Sequence, residues 1–316
     1  MKVSGFTFIK NATKLYIPLR ESILSVLPLV DEFVIAIGDN DPDDTTQEII
    51  EEIDSLKIKM IHTVWDTKTY SKNTEFARQT DIAKEACTGD WLIYIQADEA
   101  IHESDHLVIK KAMQKYKNDT EIEGLLFNYR HFWGDYKHFH TSHNWYPKEI
   151  RIIKNSKNIH SWRDAQSFRK FETFDYSPSD YNSERGQKLK VKLIGAFIYH
   201  YGYVRPPHMM SYKSQVMHSS YHGKKKAAEI VAKQPKEFDY GPLHRLAKFE
   251  GTHPAVMSDW IAKFDWQHNL QYSGKRNPNR PMHKHEKLKY RVVTWIEQHL
   301  LNKRMIGGFR NYILKK

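Results

Sequence analysis

Short apolar runs alternate with polar, helix-period stretches along the first 116 residues. Residues 3–9 (VSGFTFI), 32–37 (EFVIAI), 57–64 (KIKMIHTV) and 91–95 (WLIYI) have strand length and strand composition. The segments between them read as helices. Residues 19–30 carry a leucine-rich face interrupted by Pro28. Residues 45–53 follow Asp44 or Thr45 as a cap, and 72–86 show helical spacing at Phe76, Ile82 and Ala83 with Gly89 just beyond. A further helix is expected over 104–116, with Ser104 as its cap. Strands separated by helices predict βαβ units and a mostly parallel sheet, whose strand ends share one edge. The turns after the second and fourth strands, GDND and QADE, fall on that edge.

The second half is less regular. Residues 124–130 and 149–155 read as strands around an aromatic, histidine-rich insertion, HFWGDYKHFHTSHNWY. Residues 188–203 hold one or two more strands, and helical patterns follow near 208–222, 225–233, 254–264 and 288–301. Breaks bearing Pro and Gly lie at 234–242 and 273–281. The expected division is a domain over 1–205 and a basic, mostly helical region over 206–316.

The chain has 316 residues, 40% of them hydrophobic, enough for a sizeable core. No stretch has the roughly 18 apolar residues of a membrane span, and the N-terminus reads as a first strand rather than a signal peptide. The lone Cys87 excludes internal disulfides and fits a reducing cytoplasm. The net charge of +11 favours anionic partners: nucleic acid, nucleotides or an acidic membrane face. Acidic stretches lie in the first half; GKKKAAE, SGKRNPNR and HKHEKLKYR lie in the second. The eighteen histidines form no HExxH or paired CxxC pattern, so a dedicated zinc site is not expected.

Asp98 and Glu99 end an apolar strand, where two acids repel unless a cation joins them. One reading is Mg or Mn shared with a substrate phosphate; the other is that both acids cap the helix near Ser104. The stretch ARQTDIAKEACTGDWLIYIQADE (77–99) resembles family 2 glycosyltransferases of the GT-A fold, as does residues 5–49, which is similar to that family's first βαβ unit. IYHYGY (198–203) is similar to the H-x-G-Y stretch of the lipopolysaccharide-core and capsular transferases. The resemblance implies an α/β GT-A fold, a mixed sheet flanked by helices, with a donor half over 1–100 and an acceptor half over 101–205. It implies a metal-dependent, inverting transfer from a nucleotide-sugar, by default a UDP-sugar, to a glycan or lipid-linked hydroxyl in cell-surface polysaccharide synthesis.

The residue roles follow from the same resemblance. Phe8, Lys10 and Asn11 would border the base, Asp39 would accept a hydrogen bond from it, and Arg78 would lie near base or diphosphate. Gln96, Ala97 and Asp98 would line the donor site; Asp98, Glu99 and His200 would hold Mn or Mg. Gln96 stands where the family pattern has the first acid of Asp-x-Asp. Asp164 in HSWRDAQ is the expected base, with Glu149 and Asp135 as alternatives, and Trp133, Trp145 and Trp162 would pack on acceptor sugars. Each has a plainer reading: turn formers at Asn11 and Asp39, a surface arginine at Arg78, a structural histidine at His200, a surface ion pair at Asp164.

The basic C-terminal helices would rest on an anionic membrane surface or dock Val292, Trp295, Ile296 and Leu300 on the protein's own core. Localisation would be cytoplasmic, with peripheral membrane contact. A nucleic-acid-binding protein is the competing class, but no zinc-finger, RNA-recognition or helix-turn-helix signature supports it, so no nucleic-acid partner is expected. A catalytically degenerate GT-A protein is the other alternative, prompted by Gln96.

Overall fold

Three of the four apolar runs of the first half become inner strands of one sheet because they are buried on both faces; the third, at its edge, is only half-buried. Phe33, Ile35 and Ile37 enter one core cluster, while Val34 and Ala36 of the same strand enter another. The computed structural model describes residues 1–222, 229, 237–307 and 310–316. The helical pattern at 225–233 and the lysine run at 223–229 fall, residue 229 aside, outside the described residues.

Strands β1 (Val3–Ile9), β2 (Glu32–Ile37), β3 (Ile58–His62) and β4 (Trp91–Tyr94) lie parallel in the order β3–β2–β1–β4. Helices α1 (Leu19–Val26), α2 (Thr46–Glu51) and α3 (Thr74–Glu85) connect them. Next come β5 (Glu99–Ile101), α4 (His106–Tyr116), β6 (Gly124–Trp133), β7 (His138–His140) and β8 (Lys148–Lys154). Strands β9 (Ile159–Trp162) and β10 (Ser167–Lys170) form a hairpin, then α5 (Pro178–Tyr181) leads to the long β11 (Gln187–Tyr203). Strand β8 runs antiparallel between β4 and β6, and β6 pairs parallel with β11, so the sheet is mixed. The expected α/β class with a mixed sheet and flanking helices is what the chain adopts.

The C-terminal region departs from the mostly helical expectation. Helices α6 (Pro207–His222) and, later, residues 288–299 meet it. Between them, the described residues form β12 (Ala247–Lys248), α7 (Ser258–Ala262), loops and single 3₁₀ turns. Their aromatic and apolar side chains are the reason. Tyr240, Leu243, Met257 and Trp266 pack on Phe132, Trp133, Tyr199 and Tyr201 of β6 and β11, which holds the segment as a wrapped loop. Helix α8 (Leu288–His299) follows, and β13 (Tyr312–Leu314) returns to pair parallel with β11.

Strand β2 enters the sheet through a buried acid. Glu32 accepts hydrogen bonds from Ser4 Oγ (2.6 Å), Thr88 N–H (2.7 Å) and Thr88 Oγ1 (2.6 Å), and pairs with Lys59 at 2.6 Å. Burial opposes its ionisation, but these donors prevail and bring its pKa down to about 2. Glu32→Gln is therefore expected to cost about 1–3 kcal/mol near neutral pH. Because the folded pKa is depressed, this contribution is full above the unfolded carboxyl's value and is lost as pH falls through about 2. Thermal melts should show the gap between variant and wild type closing as the solution is acidified; a gap independent of pH would sink the assignment.

Candidate functional site

The parallel strands place their carboxyl ends on one edge, and a cavity of about 420 Å³ opens there. Phe8 and Lys10 from the end of β1, and Gln96, Ala97 and Asp98 from the turn after β4, line it. Ser22 of α1 donates to the Gln96 carbonyl at 3.1 Å and fixes that turn. Tyr146, Trp145, His200, Tyr203 and Lys213 form the opposite side. At one end Phe8, Trp65 and Phe76 make an aromatic triad, with ring centroids 5.4–5.9 Å apart. Buried polar atoms on the wall have no protein partner: Trp65 Nε1, Trp145 Nε1, and both polar atoms of Asn73. Orphaned donors around a cavity mark it as a place for a polar ligand.

Asp98 lies within a ring of nitrogen groups. Lys213 Nζ is 3.3 Å from Oδ2, Arg205 Nη2 is 3.8 Å from Oδ2, and His200 Nε2 is 3.7 Å from Oδ1. Burial resists ionisation of Asp98, yet Lys213 and Arg205 hold it well below the usual carboxylate range. Burial and Arg205 push Lys213 down to about 8. The His200 tautomer follows from its neighbours. His131 Nε2 must donate to the Tyr146 carbonyl at 2.8 Å, which leaves His131 Nδ1 to accept from His200 Nδ1 at 3.1 Å. Burial lowers the pKa of both imidazoles, so both are neutral and His200 Nε2 keeps a lone pair. Gly202 is required here: a Cβ would lie 2.5 Å from His200 Nε2 and 2.6 Å from Asp98 Oδ2.

Glu99, expected as a metal ligand, is turned away from the cavity. It is fully buried, and its two oxygens take Arg151 Nη2 and Nε at 2.8 Å each. Tyr129 donates to Oε1 at 2.7 Å, and the Gln96 N–H donates to Oε2 at 3.1 Å. The physical reason is that Arg151 is itself fully buried and needs a carboxylate. Of the three expected ligands, only Asp98 and His200 face each other, and among the described residues no group of three His, Cys, Asp or Glu gathers to hold an ion. One carboxylate and one imidazole beside two protein cations do not fit a resident Mn or Mg ion, which favours several oxygen ligands of negative charge.

A second cavity, of about 490 Å³, adjoins the first, and Tyr146, Asp164 and Gln166 line both. Asp164 sits in the β9–β10 turn between Arg163 (φ 56°) and Ala165 (φ 60°), two non-glycine residues in the left-handed region. Such strain costs about 1 kcal/mol or more per residue and gathers at functional sites. The turn is tied to the Asp98 corner, because Arg151 Nη1 donates to the Gln166 carbonyl at 2.9 Å and Gln96 Nε2 to the Ala165 carbonyl at 3.3 Å. The alternative bases lie outside both linings. Glu149 is buried and held by Ser167 and Gln166, and Asp135 is buried against His138.

Other expected residues are placed more plainly. In the turn after β1, Asn11 N–H donates to Asn40 Oδ1 at 2.7 Å, and Asn11 Oδ1 accepts the Asp41 N–H at 2.8 Å. Asp39 pairs with Lys10 at 2.8 Å and accepts the Trp65 N–H at 2.9 Å, so it braces two cavity residues from outside the lining. Arg78 pairs with Glu75 at 2.8 Å and lies over Tyr70, also outside it. Trp133, expected at the acceptor surface, is buried and donates to the Tyr240 carbonyl at 2.9 Å: it belongs to the aromatic core, a correction. Trp162 is buried too, with its indole on the Ser183 carbonyl, but its edge reaches the second cavity; Trp145 lines the first. Sequence reasoning missed Trp65, Asn73, Arg151, Arg205 and Lys213. Their signal is tertiary, since none stands in a strand-end motif.

The chain matches no family model and no curated protein. Among solved structures it is similar to Staphylococcus aureus TarS, at 12% identity over 74% of this chain and 42% of that one, with a TM-score of 0.38. It thus spans less than half the length of that relative. It is also similar to the 1–349 portion of TarS solved with UDP-GlcNAc, at 13% identity, 74% and 71% coverage and a TM-score of 0.36. A glucosyl-3-phosphoglycerate synthase from Mycobacterium tuberculosis, solved with Mn2+, UDP and phosphoglyceric acid, is 15% identical over 42% of this chain and 43% of that one, with a TM-score of 0.27. At such identities and scores the likeness is faint, and the functional reading rests on this chain's own geometry.

Glu99→Gln is expected to destabilise the protein by about 3–5 kcal/mol, because it leaves the buried Arg151 uncompensated. Combining it with Arg151→Met should recover a good part of that loss, measured by denaturant unfolding. A single variant as stable as wild type would mean that Arg151 has other means of compensation.

Proposed function

We propose that this chain is a GT-A-type glycosyltransferase that moves a sugar from a nucleoside-diphosphate donor to a hydroxyl of a glycan or lipid-linked acceptor. The observation that carries this reading is the shared wall: one carboxylate, Asp164, lines both the cavity below the strand ends and its neighbour. The donor occupies the first cavity. Its base stacks in the Phe8–Trp65–Phe76 triad, where such stacking contributes about 1–3 kcal/mol. Its diphosphate lies toward Asp98 and Lys213, and His200 Nε2 accepts a hydroxyl proton of sugar or ribose. The acceptor occupies the second cavity, beside Trp162. Residues 1–205 form the transferase domain, and 206–316 close the site through α6.

Asp164 takes the proton of the acceptor hydroxyl as that oxygen attacks the anomeric carbon, inverting its configuration. Proton removal of this kind contributes about 10²–10⁴-fold. Asp164→Asn should lower the transfer rate by that order while leaving nucleoside-diphosphate affinity unchanged. A variant that transfers sugar at the wild-type rate would remove Asp164 from the role. A UDP-sugar is the proposed donor; a thermal-shift series with UDP, GDP and dTDP chooses the base.

A divalent ion that arrives with the donor is a second reading: Asp98 and His200 would be the residues to hold it, and it would offset charge on the departing diphosphate. The His200 Nε2 lone pair and the space left by Gly202 favour it.

Peripheral membrane contact is proposed for α8. Leu288, Val292 and Trp295 are exposed on this helix rather than docked on the core, beside exposed Lys287, Lys289 and Arg291. No helix among the described residues is long and apolar enough to cross a membrane. Because β13 belongs to the sheet, point changes test this better than truncation. Val292→Glu with Trp295→Glu should weaken sedimentation with phosphatidylserine vesicles about tenfold or more. Equal sedimentation of variant and wild type would dismiss the contact.

A further inference from the structure

Resting on the donor-site reading above, we infer that Lys213 takes the place of a divalent cation at the donor diphosphate, so that donor binding needs no metal. Three observations converge on it. First, Asp98 has a second buried counter-charge besides Lys213. The guanidinium of Arg205 is fully buried, anchored by Nε on the Leu15 and Tyr16 carbonyls at 2.8 and 3.2 Å, and turns Nη2 to within 3.8 Å of Asp98 with no hydrogen-bond partner. Second, Lys213 then adds a second positive charge at the Asp98 corner, where Asp98 is the one carboxylate within reach of both cations, and it lines the cavity, whereas Arg205 does not. Its Nζ rests on the Gly202 carbonyl at 2.9 Å and on Asp98 at 3.3 Å, an ammonium held by oxygens as a metal ion would be. Third, the acids that would draw a metal are missing or engaged: Gln96 is neutral, and Glu99 is consumed by Arg151.

The Asp98 corner therefore carries one surplus positive charge before any ligand enters, and an anionic diphosphate is the ligand that suits it. A divalent ion added to the same wall would meet two cations within a few ångströms of one carboxylate, a repulsive arrangement in a partly buried site. Lys213 can swing from Gly202 to the phosphate oxygens because its flexible stem ends in three rotatable donors. In the transfer, the bond between the anomeric carbon and the β-phosphate oxygen breaks, and its electron pair stays on the diphosphate. The Lys213 ammonium meets that added charge. The new bond joins the acceptor oxygen to the anomeric carbon, and the acceptor proton goes to Asp164. Arg205 and Asp98 are positioning residues, which hold Lys213 at the cavity.

The test is calorimetric titration of UDP, GDP and dTDP into the full chain, with EDTA and separately with Mn2+. Wild type is expected to bind one of them in EDTA, with affinity changed less than about threefold by Mn2+. Lys213→Met should weaken that binding about tenfold or more, with no rescue by Mn2+, while Lys213→Arg keeps most of it. Binding by wild type that appears only with Mn2+ overturns the inference while leaving the transferase reading intact. So does equal affinity of the Lys213→Met protein, once circular dichroism shows it folded. Failure of all three nucleotides in both conditions overturns the inference together with the donor-site reading beneath it. The wild-type comparison of EDTA with Mn2+ decides the point even if the Met variant does not fold.

Discussion

The buried ion pair of Glu99 and Arg151 is the constraint on which the site's geometry rests. Neither side chain has access to water, so each charge depends on the other and on the hydrogen bonds around it. Glu99 follows directly on the Asp98 turn and takes the Gln96 N–H. Arg151 lies on β8 and holds the Gln166 carbonyl beside the Asp164 turn. One pair thus joins the two acid-bearing segments that line the adjoining cavities. Its low-dielectric surroundings also make it unforgiving: the pair keeps the corner rigid only while both members are charged and satisfied.

The same pair changes the meaning of the neighbouring acids. Two consecutive carboxylates in sequence suggest two ligands, but the fold spends them in opposite directions. Glu99 goes inward to an arginine, and Asp98 goes outward to a cavity bordered by Lys213, Arg205 and His200. The charge on the wall is then set by elements far apart in the chain: the turn after β4, the end of β11 and the first turns of α6. Strain in the Asp164 turn and orphaned donors on Trp65 and Asn73 belong to the same picture. These are features a structure tolerates where a ligand completes them.

Much of the architecture was legible in the residues. The runs at 3–9, 32–37 and 91–95 read as strands because both of their faces are apolar, and the helices between them carried helical periodicity, although none has a side-chain hydrogen bond from its N-cap residue. The strand-end positions of Asp98 and Asp39 followed from the parallel arrangement, since right-handed crossovers bring those ends to one edge. Trp133 was misread because an aromatic in a polar, histidine-rich stretch looks solvent-facing; it is buried only because the chain from 237 to 287 wraps over it. The short strands β5, β7, β12 and β13 were silent for a related reason: two or three residues hold too little pattern, and their pairing partners lie elsewhere in the chain.

The sequence by itself determined the strand and helix order of the first half, the edge on which a site would form, and the presence there of Asp98 without a second acid at Gln96. These are local properties, fixed by periodicity and the polarity of single positions. The tertiary structure alone decided which charges meet. That Glu99 faces Arg151, that Lys213 and Arg205 surround Asp98, and that Asp164 stands between two cavities depend on contacts between residues 52 to 115 positions apart. Burial and distance set the worth of a charge, and neither is written in the order of residues along the chain.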